Sequence, residues 1–274
     1  MKTVFYWALA VLITFGAIIY QRKTGPTYDK KVVVKIDNET YNFKLVRSHG
    51  GDEDFELSLL VPEKTISGII EYRKFPTRDE WTKIEMVRKN DQLFGILPHL
   101  PPAGKYEYKT ILVKEGQEFQ LNEGQSVVVR FKGAVPGGVL IPHIFLMFFA
   151  MLLGNLAGIM AIFKYRKFKF FTMVTVIALF IGGLILGPWV QWYAFGEAWA
   201  GVPFAWDLTD NKTLVAFIFW VLAFFMNRKK ERPVYTIVAS IVMLMVYSIP
   251  HSMYGSQLDP ETGEIIQGWI QLFL

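Results

Sequence analysis

Two histidines raise the question of chemistry. His143 and His251 each follow an Ile-Pro pair, Ile141-Pro142 and Ile249-Pro250, at the ends of apolar segments far apart in the chain. Imidazole ligates transition metals readily and changes charge near neutral pH. Asp207, Asp210 and Asp259 could complete a ligand set with them, and Gln191, Glu197, Asn211 and Ser252 add further polar groups. If all reach one membrane level, such a rim could ligate a divalent metal or haem for redox chemistry or transport, or form a polar pocket. An ordinary reading competes at every position. Asp207, Thr209 or Asp210 can cap a helix, Trp199 and Trp206 suit a membrane interface, and methionine fills apolar gaps. The chain has no cysteine, which excludes disulfides, thiolate metal sites, covalent c-type haem attachment and a cysteine nucleophile. It also carries no phosphate-binding glycine loop, HExxH, GxSxG or nucleic-acid motif, so the reading leans away from an enzyme and from nucleic acid as a partner.

The elements that must position these residues are membrane helices. A chain of 274 residues that is 52% hydrophobic and 16% aromatic is too apolar for an ordinary soluble domain. Apolar runs cover Thr3 to Tyr20, Val139 to Phe163, Phe170 to Trp192, Leu214 to Met226 and Val234 to Ile249, and all five are expected to span the bilayer. The first continues past the length of a signal-peptide core and reads as a retained anchor. Helical spacing places His143, Met147, Met151, Gly154 and Gly158 on one stripe, and Gly183, Gly187 and Gln191 on another. Met243, Tyr247 and His251 form a third. Gly154-to-Gly158 and Gly183-to-Gly187 are GxxxG patterns, which let helix backbones approach closely.

Charge orients the bundle. Lys164, Arg166, Lys167 and Lys169 lie in one short loop, and Arg228, Lys229, Lys230 and Arg232 in another. Both loops are therefore expected in the cytoplasm. With five crossings the N-terminus is inside, and residues 24–134 and the C-terminus are outside the cytoplasmic membrane. The net charge of +5 follows from this asymmetry and needs no nucleic acid to explain it.

Between the first two helices the composition turns polar and alternating. Lys31 to Ile36 and Tyr41 to Val46 flank a hairpin turn at Asp37-Asn38-Glu39-Thr40. Further strands are expected at Phe55 to Leu60, Ser67 to Lys74, Thr82 to Arg88, Gln92 to Leu97, Lys105 to Val113 and Ser126 to Phe131, which predicts an antiparallel sandwich. His49, in the turn Ser48-His49-Gly50-Gly51-Asp52, and His99 read as surface loop residues. The predicted fold is thus a five-helix transmembrane bundle with an inserted all-β immunoglobulin-like sandwich. Its divisions are an anchor at 1–23, the sandwich at 24–134, four helices at 135–250, and a tail at 251–274. In that tail Ile265, Ile266, Trp269, Ile270 and Phe273 would form the apolar face of an interfacial helix.

Trp81 to Arg88, Gln92 to Leu97 and Pro98-His99-Leu100-Pro101-Pro102-Ala103-Gly104-Lys105-Tyr106-Glu107-Tyr108 resemble the late strands of fibronectin type III and related immunoglobulin-like domains. The resemblance implies a β-sandwich that serves as a spacer or docking module, and hence an envelope protein as partner besides the lipid bilayer. Residues 195–212 and 249–256 resemble stretches of uncharacterised bacterial envelope membrane proteins, which implies no activity. A looser similarity is to copper-handling proteins that join a β-sandwich to a membrane bundle bearing His and Met. This chain departs from those in keeping its first helix as an anchor and in lacking a His- or Met-rich sandwich rim.

Overall fold

The computed structural model describes residues 2–250 and 255–267. It divides into two compact units, Met1–Pro26 with Val135–Gly255, and Thr27–Ala134 with Ser256–Leu274. The chain thus leaves its first unit to build a second, returns, and ends in the second.

The first unit is helical. It contains α1 (Lys2–Thr24), α2 (Gly137–Ile162), α3 (Phe168–Leu179), a π-helical stretch (Phe180–Leu186), α4 (Gly187–Phe195), α5 (Leu208–Lys229) and α6 (Pro233–Ser248). Since α3, the π-stretch and α4 run on as one rod, Phe168–Phe195, the described residues form five rods. Four are long and apolar enough to cross a membrane, and α6 is a shorter apolar helix of 16 residues. Their ends have local causes. Pro233 opens α6 at the position where its missing N–H costs nothing, and Gly196 closes α4 in the left-handed region at φ 81°. Pro188 denies the preceding turn a donor, and the chain adopts wider π bonding just before it.

The bundle is organised around α2, which is buried almost continuously from Ala150 to Ala161. A Cβ at Gly154 would stand 2.7 Å from Met243 Sδ and 2.8 Å from Trp220 Cζ2, and one at Gly158 would collide with the Ser240 side chain. These glycines therefore set how closely α2 meets α5 and α6. A Cβ at Gly183 would lie 2.8 Å from Thr213 Cγ2, but at Gly187 the nearest neighbours are ordinary contacts at 3.7 and 3.8 Å. Only the first glycine of that GxxxG pair marks a tight approach. Buried polar pairs add direction to the packing. Asn155 Nδ2 donates to Thr14 Oγ1 on α1 at 2.9 Å, the Thr172 and Thr236 hydroxyls meet at 3.2 Å, and Tyr247 Oη donates to the Met147 carbonyl at 3.2 Å.

The second unit is built of strands. A hairpin of β1 (Lys30–Ile36) and β2 (Glu39–Leu45) turns at Asp37-Asn38, with Asp37 at φ 52°. The largest sheet has the order β3-β11-β9-β5-β6, with β10 also on β9. Its strands are β3 (Ser48–Gly50), β5 (Ile66–Lys74), β6 (Thr82–Glu85), β9 (Lys105–Lys114), β10 (Gln117–Gln120) and β11 (Val127–Lys132). A three-stranded sheet runs β4 (Phe55–Leu60), β8 (Gln92–Leu97), β7 (Val87–Lys89), and β12 (Ser256–Leu258) pairs with β13 (Ile265–Gln267). The alternating strands point one face inward, so that Phe43, Phe55, Leu57, Ile70, Leu93, Tyr108, Leu112 and Phe131 from several sheets share one core. Lys114 holds the first hairpin's turn to the 61–65 segment through Asp37 and Glu63, each at 2.5 Å.

Four expectations change. The segment Thr82 to Arg88 is two strands, because Met86 turns into the core with its N–H on the Gly68 carbonyl at 2.8 Å, and the chain passes from β5's sheet to β8's. Ser48–Gly50 is not simply a turn but pairs with β11 in parallel, so the largest sheet is mixed. Within the tail, the strands at Ser256–Leu258 and Ile265–Gln267 group with the β unit. Ile265–Gln267 is a strand where helix was expected, while 268–274 lie outside the described residues.

Gly154→Ala and Gly158→Ala should each destabilise the detergent-solubilised protein by about 1–3 kcal/mol, the usual cost of overpacking. Gly187→Ala should leave the thermal midpoint unchanged. Equal midpoints for all three would show that α2 does not rely on close approach.

Candidate functional site

The polar residues expected at the rim converge on the first turn of α5. Asp207 is its N-cap, with Oδ1 accepting from the N–H groups of Thr209 at 2.7 Å and Asp210 at 3.3 Å, as an anion at a helix N-terminus should. The connection from Gly196 to Trp206 is stitched to that turn. Ala200 N donates to Asp210 Oδ2 at 2.7 Å, Val202 N donates to Asn211 Oδ1 at 2.8 Å, and Asp207 N donates to the Ala200 carbonyl at 2.7 Å. Gln191, Glu197 and Asp207 surround the Asp210 carboxylate. Burial first, and the Asp207 charge second, raise the Glu197 carboxyl above its usual range. On the same helix Lys212 is buried and donates to the carbonyls of Ile249 at 3.0 Å and Pro250 at 3.5 Å, meeting the C-terminal end of α6 with a cation.

His143 stands on α2, where its Nδ1 lies 2.8 Å from the Gly182 carbonyl. A carbonyl only accepts, so Nδ1 carries the proton and Nε2 has the lone pair of the neutral ring. Gly182 is in the π-helical stretch, and its carbonyl also accepts the wide-turn bond from Gly187 N. The irregular turn thereby fixes the imidazole. Nε2 so oriented could bind a metal or relay a proton.

The expected constellation is only partly assembled. Gln191, Glu197, Asp207, Asp210 and Asn211 come together, but as a scaffold for one loop and one helix start. Among the described residues no three His, Asp or Glu side chains are placed to hold a metal ion. Asp259 belongs to the β unit, where its Oδ1 accepts from Glu261 N at 2.8 Å and Thr262 N at 3.3 Å and closes the β12–β13 turn. His251 and Ser252 lie outside the described residues. The chain matches no protein-family model, and no curated protein or solved structure is significantly similar to it. His49 and His99 take packing roles, both rings lying edge-on to Phe131, with Nε2 of each near a backbone carbonyl.

One polar cluster escaped the sequence. Lys105 on β9 sits directly opposite Arg130 on β11, the first half-buried and the second buried. Lys105 Nζ donates to Gln257 Oε1 at 2.5 Å, Arg130 donates to the Ser256 carbonyl, and Leu258 N donates to the Ala103 carbonyl at 3.1 Å. Two neighbouring cations thus hold β12 against the β unit. Burial, and then the Arg130 charge, lower Lys105 to about 7. Nothing in the local pattern of β9 marks this, since the pairing joins residues 152 positions apart.

Asp207→Ala should cost about 0.5–2 kcal/mol through the lost cap, measured by thermal unfolding. Lys105 supplies a pH dependence of defined sign. Its folded value lies below the unfolded one, so between pH of about 7 and the ordinary lysine value of 10.5 the unfolded chain binds more protons. Stability of the β unit should rise with pH across that window and level off below it. Lys105→Met should remove the slope, as read from unfolding midpoints between those limits.

Proposed function

We propose that the protein is a multi-pass protein of the cytoplasmic membrane that presents its β unit on the extracytoplasmic side and acts there as an accessory or docking subunit. The observation that carries this reading is the return of the chain. The β unit takes in both Thr27–Ala134 and Ser256–Leu274, so the residues between must cross a bilayer an even number of times. Four rods lie in that interval, namely α2, the Phe168–Phe195 rod, α5 and α6. The parity includes α6 as a span, although its 16 residues reach about 24 Å of the roughly 30 Å hydrocarbon thickness. Arg232 at its start can reach polar surroundings, and Lys212 of α5 meets the carbonyls at its other end.

Charge supports the orientation. The loops that follow α2 and α5 carry eight basic residues, against Arg22 and Lys23 on the other side of α1. The immunoglobulin-like reading of the β unit rests on sheets that share one core and on the segment that changes sheets at Met86. A sandwich held on five helices suits display of a surface, and its partner is an envelope protein. The alternative, a metal or haem at the outer rim for redox chemistry or transport, draws on His143 with its fixed tautomer and on His251.

The chain's lack of cysteine makes the test direct. Single cysteines replacing Lys89 or Thr262 should react with a membrane-impermeant thiol reagent in intact cells, and cysteines replacing Lys167 or Lys230 should react only after lysis. Labelling of Lys167→Cys in intact cells would overturn the orientation. Metal content and an absorption spectrum of purified protein test the alternative, which requires a bound metal or haem that His143→Ala removes.

A further inference from the structure

The outer face of the three-stranded sheet carries a pattern of its own. Alternation along β4, β8 and β7 turns Phe55, Leu57, Leu59, Leu93 and Leu97 inward and leaves eight residues on the outside. In one row Glu56 stands beside Ile96. In the next Ser58, Phe94 and Val87 are neighbours, and in the third Leu60, Gln92 and Lys89. Leu60, Val87 and Ile96 are 60%, 60% and 52% exposed, which is costly for side chains of this kind to leave in water. Glu56 and Lys89 occupy opposite corners of the grid, with Phe94 at its centre. The Lys89 ammonium lies 5.4 Å from the Phe94 ring.

We propose that this face docks a second copy of the chain about a twofold axis that lies in the plane of contact, passes through Phe94 and runs close to Leu60. The proposal rests on the docking reading above and names the partner. Strands stand about 4.8 Å apart and same-face residues about 6.8 Å apart along a strand. On that lattice, rotation about this axis lays Glu56 on Lys89 of the second copy and Lys89 on its Glu56. It lays Ile96 on Val87, Ser58 on Gln92, and Phe94 and Leu60 on their own equivalents. Apolar thus meets apolar, polar meets polar, and each charged corner meets its opposite charge, twice. A twofold contact requires such self-complementarity of one patch. The strands of the two copies then cross steeply, near the orthogonal class of sheet packing. A face of three short strands buries less than the ~1,200–2,000 Å² of a stable soluble interface. Anchoring both copies in one membrane compensates by raising their effective concentration.

The test uses the full chain in native membranes. With no native cysteine, Phe94→Cys and, at a more exposed position, Leu60→Cys should each give an oxidised dimer under mild oxidation, being near the axis. Glu56→Cys should give one only when co-expressed with Lys89→Cys. Thr82→Cys, on the edge strand of the other sheet, should stay monomeric. In the Phe94→Cys background, Glu56→Lys or Lys89→Glu should reduce cross-linking several-fold, and the two together should restore it. Absence of dimer from both axis variants, equal dimer from Thr82→Cys, or no restoration by the double reversal would overturn the proposal. Cross-linking of Phe94→Cys to a different protein instead would also overturn it while leaving the docking reading standing, and that reading fails separately through the thiol-labelling topology.

Discussion

The chain leaves the β unit at Ala134 and rejoins it at Ser256, and the elements between serve that return. It is sealed by few bonds: Lys105 to Gln257, Arg130 to the Ser256 carbonyl, and Leu258 N to the Ala103 carbonyl. These join β12 to strands that precede it by more than a hundred residues. They give partners to the buried Arg130 and the half-buried Lys105, whose burial would otherwise be unfavourable. Both ends of the helical segment thus feed the same unit.

The helical unit meets the same demand by other means. In lipid no hydrophobic drive holds helix to helix, so packing relies on close approach and on polar groups that find partners. Gly154 and Gly158 supply the approach along α2, and Asn155, Thr172, Thr236 and Tyr247 supply the pairs. Where the rod Phe168–Phe195 departs from regular helix ahead of Pro188, the carbonyl of Gly182 is shared between the wide turn and His143. A backbone irregularity and an ionisable side chain thus satisfy each other.

The polar residues near the start of α5 show how position decides role. Asp207, Asp210 and Asn211 would suit a metal by type, yet their oxygens face backbone N–H groups of the adjoining connection and of the helix itself. Asp259 repeats the pattern at the β12–β13 turn. A carboxylate oxygen that already accepts from two N–H groups stays close to its helix end or turn, and moving it to a metal would strip those donors of their partner. The outer face of β4, β8 and β7 is the converse case, with apolar side chains left in water and charges at its corners.

Local physics was enough for much of this. Apolar runs located all five helical rods, because a long apolar run stands out whatever surrounds it, and alternation located β4, β5, β8, β9 and β11 nearly to the residue. A cap among Asp207, Thr209 and Asp210 and the tight face of Gly154 and Gly158 were legible as well, since both depend on spacing within one helix; the structure gives the cap to Asp207. Other features needed the tertiary structure because they depend on what arrives from elsewhere in the chain. Ser48–Gly50 is a strand only because β11 offers an edge, and Thr82 to Arg88 divides only because Met86 is claimed by the core beneath Gly68. Gly187 has the same sequence context as a packing glycine, but nothing presses on it. The apolar spacing of Ile265 and Ile266 fits a helix and a strand equally well, and it was pairing with β12 that made the choice.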